Sequence, residues 1–329
     1  MKSVLIGTAI FALSFSLGLF TKMNGDFRKD PWAVKWDDTV GSVVEDLSYG
    51  DQPAQKFDLY VPAGPSEKKH SLVAYLHAGG FTSGDKSDDR KILEWLCSKG
   101  YTAAGINYTL RTDGNPNASV ATQAEEIKKS IPAVIEAAKE YGIHIDQMAI
   151  AGGSAGHALA MIYGWREASS APVPVKMIFG AVGPSSFYAE DWINLGQDPA
   201  HPLSLNGDTD YEQLAALFSA LSGQTISASQ VRNGEYLRIM KEISAEMWID
   251  ENSAPSVFAY GAWDRVQPFL SSRRLDQKLT ENGVEHAYIV LSHSGHGLQN
   301  DAATGEKYMK KVEEYLDRYL GEQNLKRGS

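Results

Sequence analysis

One cysteine in 329 residues, Cys97, removes two kinds of chemistry at once. A lone thiol can form neither an intrachain disulfide nor a cysteine-based metal site. It lies in Ile92-Leu93-Glu94-Trp95-Leu96-Cys97, an apolar helix face where a buried, inert thiol is expected. Positive charge is also scarce. Lys and Arg number 31 against 41 Asp and Glu, and the net charge of −10 argues against nucleic acid as a partner. Internal repeats and low-complexity tracts are absent, so no repeat architecture is expected. With 43% hydrophobic and 22% charged residues, the chain has ample core material for a globular fold. Its length allows one large α/β domain with an insertion, or two domains.

Charge is missing again at the N-terminus. After Lys2 none appears until Lys22, and Val4 to Phe20 is almost wholly apolar. Residues 1–22 read as a signal peptide or signal anchor rather than part of the fold. The run is near the lower limit for spanning a bilayer. No small-x-small cleavage site is evident, and Lys22, Arg28 and Lys29 leave the orientation undecided. The expectation is an extracytoplasmic protein, secreted or anchored, that meets the membrane only through this segment. A buried N-terminal helix of a cytosolic protein is the alternative.

Glycine, by contrast, is concentrated where it matters. Gly152-Gly153-Ser154-Ala155-Gly156 reads G-x-S-x-G, between the apolar run Gln147–Ala151 and the helix-like Ala158–Tyr163. A serine on so tight a strand-to-helix turn needs glycine on both sides. Its hydroxyl then stands at the top of a sheet with a helix N-terminus behind it, which suits a nucleophile. Taken by itself, the motif could equally be a turn that merely packs closely.

Three further segments give it context. His77-Ala78-Gly79-Gly80-Phe81 follows the apolar strand Leu72–Leu76, and successive glycines there can aim backbone N–H groups at a developing oxyanion. His77 reads as an anchor for this loop rather than a base. Asp264 follows the strand Ser256–Tyr260 and the turn at Gly261. His296 follows Ala287–Leu291 and is flanked by Gly295 and Gly297. The order Ser154, Asp264, His296 is that of a nucleophile-elbow hydrolase. His293, three residues away, is the rival base.

With these residues in view, the chain resembles the α/β-hydrolase superfamily. Within it, the chain is similar to carboxylesterases of the hormone-sensitive-lipase and feruloyl-esterase-like (BD-FAE-like) branches. The likeness runs from about Val43 to Tyr319 and includes Tyr49-Gly50, Asp58-Leu59-Tyr60-Val61-Pro62 and Ile106-Asn107-Tyr108-Thr109-Leu110. It departs at Ala78, where the oxyanion loop commonly has glycine, and at His157, where a second glycine often follows the elbow. The resemblance implies an α/β-hydrolase fold: a mainly parallel central sheet with helices on both faces, over residues 40–321. It also implies a catalytic triad of Ser154, Asp264 and His296, and an oxyanion hole from Gly79, Gly80 and Ala155. Phe81 and Trp263 are the candidate substrate-binding residues. Neither metal nor cofactor is implied.

Strand-helix alternation along the chain agrees with a parallel sheet. It breaks between Pro184 and Ser253, read as a helical cap (residues 184–253) inserted before the Asp-bearing strand, with helices over Tyr211–Leu221 and Val231–Ile243. Phe187, Tyr188, Trp192, Phe218 and Trp248 could line the pocket or form the cap's own core. His201 is given no role. The expected function is hydrolysis of small or carbohydrate-linked acyl esters through an acyl-enzyme. Amide cleavage of the arylformamidase or peptidase kind is the alternative, and a non-catalytic binding protein on the same scaffold is a third reading.

Overall fold

The computed structural model describes residues 32–195, 204–205 and 207–321. The N-terminal segment 1–22 and the loop around His201 lie outside the described residues. Eight strands form one sheet: β1 (Gly41–Ser48), β2 (Lys56–Pro62), β3 (Ser71–Leu76), β4 (Thr102–Ile106), β5 (Gln147–Gly153), β6 (Val175–Ala181), β7 (Ser256–Gly261) and β8 (His286–Leu291). Their order is β1-β2-β4-β3-β5-β6-β7-β8. Only β1 and β2 run antiparallel to their neighbours; every pairing from β4 and β3 through β8 is parallel.

The helices between strands are α1 (Arg90–Ser98), α2 (Val120–Glu140) and α3 (Ala155–Met161), and the last two strands are followed by α8 (Phe269–Glu281) and α9 (Ala302–Leu320). Among the described residues, four α-helices lie between β6 and β7: α4 (Ala189–Trp192), α5 (Asp208–Ser222), α6 (Ala228–Asn233) and α7 (Tyr236–Met240). A fold with both sheet faces covered needs strands that are apolar on both sides. β3 shows this: Leu72, Ala74 and Leu76 join one core cluster, and Val73 joins the other. The first cluster includes Ile127, Ile131 and Val134 of α2, a helical spacing that begins at the Ser119–Thr122 capping box. The second holds Trp95 and Leu96 of α1 with Tyr315 and Leu316 of α9.

The architecture is the α/β-hydrolase fold. Its strand spans agree with the sequence reading to within a residue or two, but the insertion differs in detail. The expected helix Val231–Ile243 is broken, because Gly234 sits at φ 83° and ends α6. Phe187, Trp192, Phe218 and Tyr236 stack on one another, with Phe187 and Trp192 centroids 5.2 Å apart and Phe218 and Tyr236 5.3 Å apart. These rings pack on one another and are continuous with the main core cluster beneath them.

Candidate active site

The central strands β3, β5 and β6 set the geometry. Register pairs Leu76 with Gly152 and Gly152 with Gly180, so the elbow leaves the sheet at its middle. α3 starts immediately after Ser154 and must cross close to the strand ends. A Cβ on Gly156 would lie 1.9 Å from the Leu76 carbonyl oxygen, and one on Gly152 would lie 2.4 Å from the Gly156 carbonyl carbon. Both outer glycines are therefore steric requirements of this turn. Ser154 itself takes φ 51° and ψ −115°, a strained backbone for a residue with a Cβ. Its N–H is held by the Ala181 carbonyl at 2.8 Å.

That backbone delivers the hydroxyl to His296. Ser154 Oγ is 2.8 Å from His296 Nε2, and His296 Nδ1 is 2.7 Å from Asp264 Oδ2. The Asp264 side chain is fully buried, and the His296 side chain is 10% exposed, so the pair is largely shielded from water. Asp264 Oδ1 accepts the backbone N–H groups of Val266 at 2.8 Å and Gln267 at 3.1 Å. These donors fix the carboxylate with one oxygen toward the turn and the other toward the imidazole. The rival His293 points elsewhere. It is bound to Asp301 at 2.9 Å and is largely exposed. Asp301 also accepts Ser294 Oγ–H at 2.6 Å, and Ser294 and His293 together hold its carboxyl below the usual range. It clamps both ends of the loop that presents His296.

Beside the elbow, Gly79, Gly80 and Phe81 have φ values of 131°, 61° and 68°. Three successive left-handed residues curl the chain so that the Gly79 carbonyl turns away to accept Thr82 and Ser83 N–H groups. A Cβ on Gly79 would lie 1.8 Å from the Ser83 carbonyl oxygen. Among the described residues, neither the Gly79 nor the Gly80 N–H has a backbone acceptor. Ala155, the first residue of α3, has no intrahelical acceptor for its own N–H.

His77 and His157 are both fully enclosed. His77 donates Nδ1–H to the Ala78 carbonyl at 2.7 Å and stacks on Tyr108 with centroids 4.2 Å apart. Tyr108 O–H donates back to the His77 carbonyl, and burial lowers the affinity of this imidazole for a second proton. His157 accepts the Gly183 N–H at Nδ1, and burial pushes its pKa down to about 3. Both rings are neutral supports for the loops around Ser154.

The candidate substrate residues fare differently. Phe81 is buried in the main core cluster, while Trp263 is 57% exposed and donates Nε1–H to the Ser292 carbonyl. Trp263 thereby braces the histidine loop. Tyr188 lies under Arg274 and Trp248 under Lys241, in cation–π contacts. Sequence reading missed Gln267, Asp301 and Gln123. Buried Gln and loop Asp have no spacing signature, so only the fold reveals what they touch.

Against this geometry, the BD-FAE family model matches residues 57–279, more than half of the chain. The chain belongs to the BD-FAE family. The match covers Gly79, Ser154 and Asp264 of this BD-FAE protein and stops before His296, which the tertiary structure supplies. Among relatives, it is 31% identical over 124 residues to an acetyl esterase of Salmonella paratyphi B, covering 37% of this chain and 35% of that one. It is 27% identical over 125 residues to kynurenine formamidase of Danio rerio, covering 38% and 40%. The chain thus spans well under half the length of these curated relatives. Among solved structures, esterase B of Lactobacillus rhamnosis superposes with a TM-score of 0.70 over 100% of both chains at 16% identity, a likeness of fold.

Proposed function

We propose that this protein is a serine carboxylesterase acting on small or carbohydrate-linked acyl esters. The observation that carries the proposal is the continuous hydrogen-bonded chain Ser154 Oγ–His296–Asp264 beside unpaired loop amides. A serine hydroxyl is a weak nucleophile near neutrality, so His296 Nε2 takes its proton as Oγ attacks the acyl carbon. Asp264 Oδ2 holds the Nδ1–H tautomer and stabilises the imidazolium. The oxyanion is received by the N–H groups of Gly79, Gly80 and Ala155, each worth about 3 kcal/mol in the barrier. His296 returns the proton to the departing alkoxide. Water then enters by the same route and releases the acid from Ser154.

The acetyl esterase relative favours the ester reading and a short acyl group. The formamidase relative keeps N-formyl amides as the second reading. The apolar segment Val4–Phe20 supports export. The test is hydrolysis of p-nitrophenyl acetate, acetylated and feruloylated sugars, and N-formyl anilides by wild-type and Ser154→Ala enzyme. Ester turnover lost in the variant, with little anilide cleavage, is expected. Formamide turnover that exceeds ester turnover would move the assignment to the second reading, and a protein inert to a fluorophosphonate probe would leave only the binding scaffold.

A further inference from the structure

The Gly79–Phe81 turn holds a conformation that one of its residues resists. Phe81 has a Cβ and sits at φ 68°, and such a residue stays there only when its surroundings over-determine it. The structure shows what does so. The Phe81 carbonyl accepts two hydrogen bonds, from Arg111 N–H at 3.0 Å and from Gln123 Nε2 at 2.9 Å. The other amide hydrogen of Gln123 goes to the Thr109 carbonyl, also at 2.9 Å.

Gln123 lies one turn into α2 and is completely buried. Its Oε1 has no hydrogen-bond partner among the described residues. Two facing carbonyls can be satisfied only by the –NH₂ end, which fixes the amide's orientation without reference to Oε1. A buried amide with one orphaned oxygen costs stability, so its place in an apolar helix face needs a reason. α2 is moreover tied to the neighbouring Thr109 segment a second time. Glu126, one turn further on, accepts Thr109 N–H at 2.6 Å and Thr109 Oγ–H at 2.8 Å.

We infer that Gln123 is a positioning residue for the oxyanion hole: it fastens the Phe81 carbonyl to α2 and so aims the Gly79 and Gly80 amides at the Ser154 side of the pocket. This rests on the esterase reading. Gln123 touches no reacting atom and acts through the loop. Misplacing a donor by a fraction of an ångström to about 1 Å weakens transition-state stabilisation while leaving ground-state binding nearly intact, with losses on the order of 100-fold.

The experiment compares wild-type protein with Gln123→Met, which keeps the bulk and removes both donors, and Gln123→Glu, which retains one donor when protonated. kcat and KM for p-nitrophenyl acetate are measured with inhibition by a trifluoromethyl ketone, which binds as a tetrahedral adduct; circular dichroism and thermal melting report the folded fraction. For Gln123→Met, kcat per folded enzyme is expected to fall roughly 10–100-fold with KM within about twofold, and ketone inhibition to weaken by the same factor. Gln123→Glu is expected to lie between Met and wild type. If kcat per folded enzyme stays within about twofold of wild type, the inference is wrong. Failure of both variants to fold would also overturn it, making Gln123 a folding residue. Should wild-type protein show no turnover, with Ser154 unlabelled by a fluorophosphonate, the esterase reading fails instead, a distinguishable result.

Discussion

Acidification provides a measurement of what His157 contributes. Its ring is enclosed between the elbow helix and the exit of β6: a Cβ on Gly180 would lie 2.4 Å from its Cδ2, and one on Gly183 would lie 2.7 Å from its Cβ. Tyr260 lies against it with centroids 6.0 Å apart, and the Gly183 N–H occupies Nδ1. Burial strips the ring of water and outweighs the one hydrogen bond to the Ala181 backbone that favours the cation, lowering the pKa from 6.5 to about 3. Below pH 6.5 the unfolded chain binds a proton that the folded chain refuses until about pH 3, so this part of the stability is complete above 6.5 and is lost as pH falls through the window. At about pH 4.5, two units below the unfolded value, the loss is about 2.7 kcal/mol at roughly 1.36 kcal/mol per unit. Other groups titrate in the same range, so the comparison is with His157→Asn, whose amide oxygen can accept the same Gly183 N–H. Urea unfolding of both proteins at about pH 7 and pH 4.5 gives the difference. The wild type should lose about 2–3 kcal/mol more than the variant on acidification. Equal losses would show that the folded ring accepts its proton as readily as the unfolded one, refuting the enclosure account.

Three other outcomes are expected. His296→Ala should abolish ester hydrolysis, while His293→Ala, whose ring faces Asp301, should keep most of it; steady-state assays of the two purified variants decide. Asp264→Asn should fold normally and lose on the order of 10⁴ in kcat, because an amide can leave His296 in the wrong tautomer; turnover near wild type would point to another acid. Lys86→Met should cost about 3–5 kcal/mol in a urea titration, because Lys86 Nζ lies 3.0 Å from buried Asp58 and its removal strands that charge. A change below about 1 kcal/mol would mean that Asp58 is satisfied by the Asp46 N–H at 2.8 Å.

Much of this molecule is legible in its sequence. Short apolar runs separated by helical spacing foretold the parallel sheet, because a strand covered on both faces has no room for polar alternation. Ser154, Asp264 and His296 were legible because each follows such a run at a glycine-rich turn. Phe187, Trp192 and Phe218 were not: an aromatic residue in an insertion can face a pocket or its neighbours, and here the rings chose one another. Trp263 reads as a candidate substrate residue, and nothing in the sequence signals that its indole also reaches the Ser292 carbonyl.

The amino-acid sequence alone determined which residue types stand at strand ends and in what order, since backbone sterics make glycine obligatory around a strand-to-helix elbow. It thereby determined the fold class and the candidate nucleophile, base and acid. Only the tertiary structure decided that Ser154 Oγ, His296 and Asp264 meet within 2.8 Å, that His293 turns away, and that Gln123 fastens the Phe81 carbonyl from another element. Those contacts join residues up to 142 positions apart. Local propensity carries no information across that distance; the sheet register and helix crossings that close it are set only when the whole core packs.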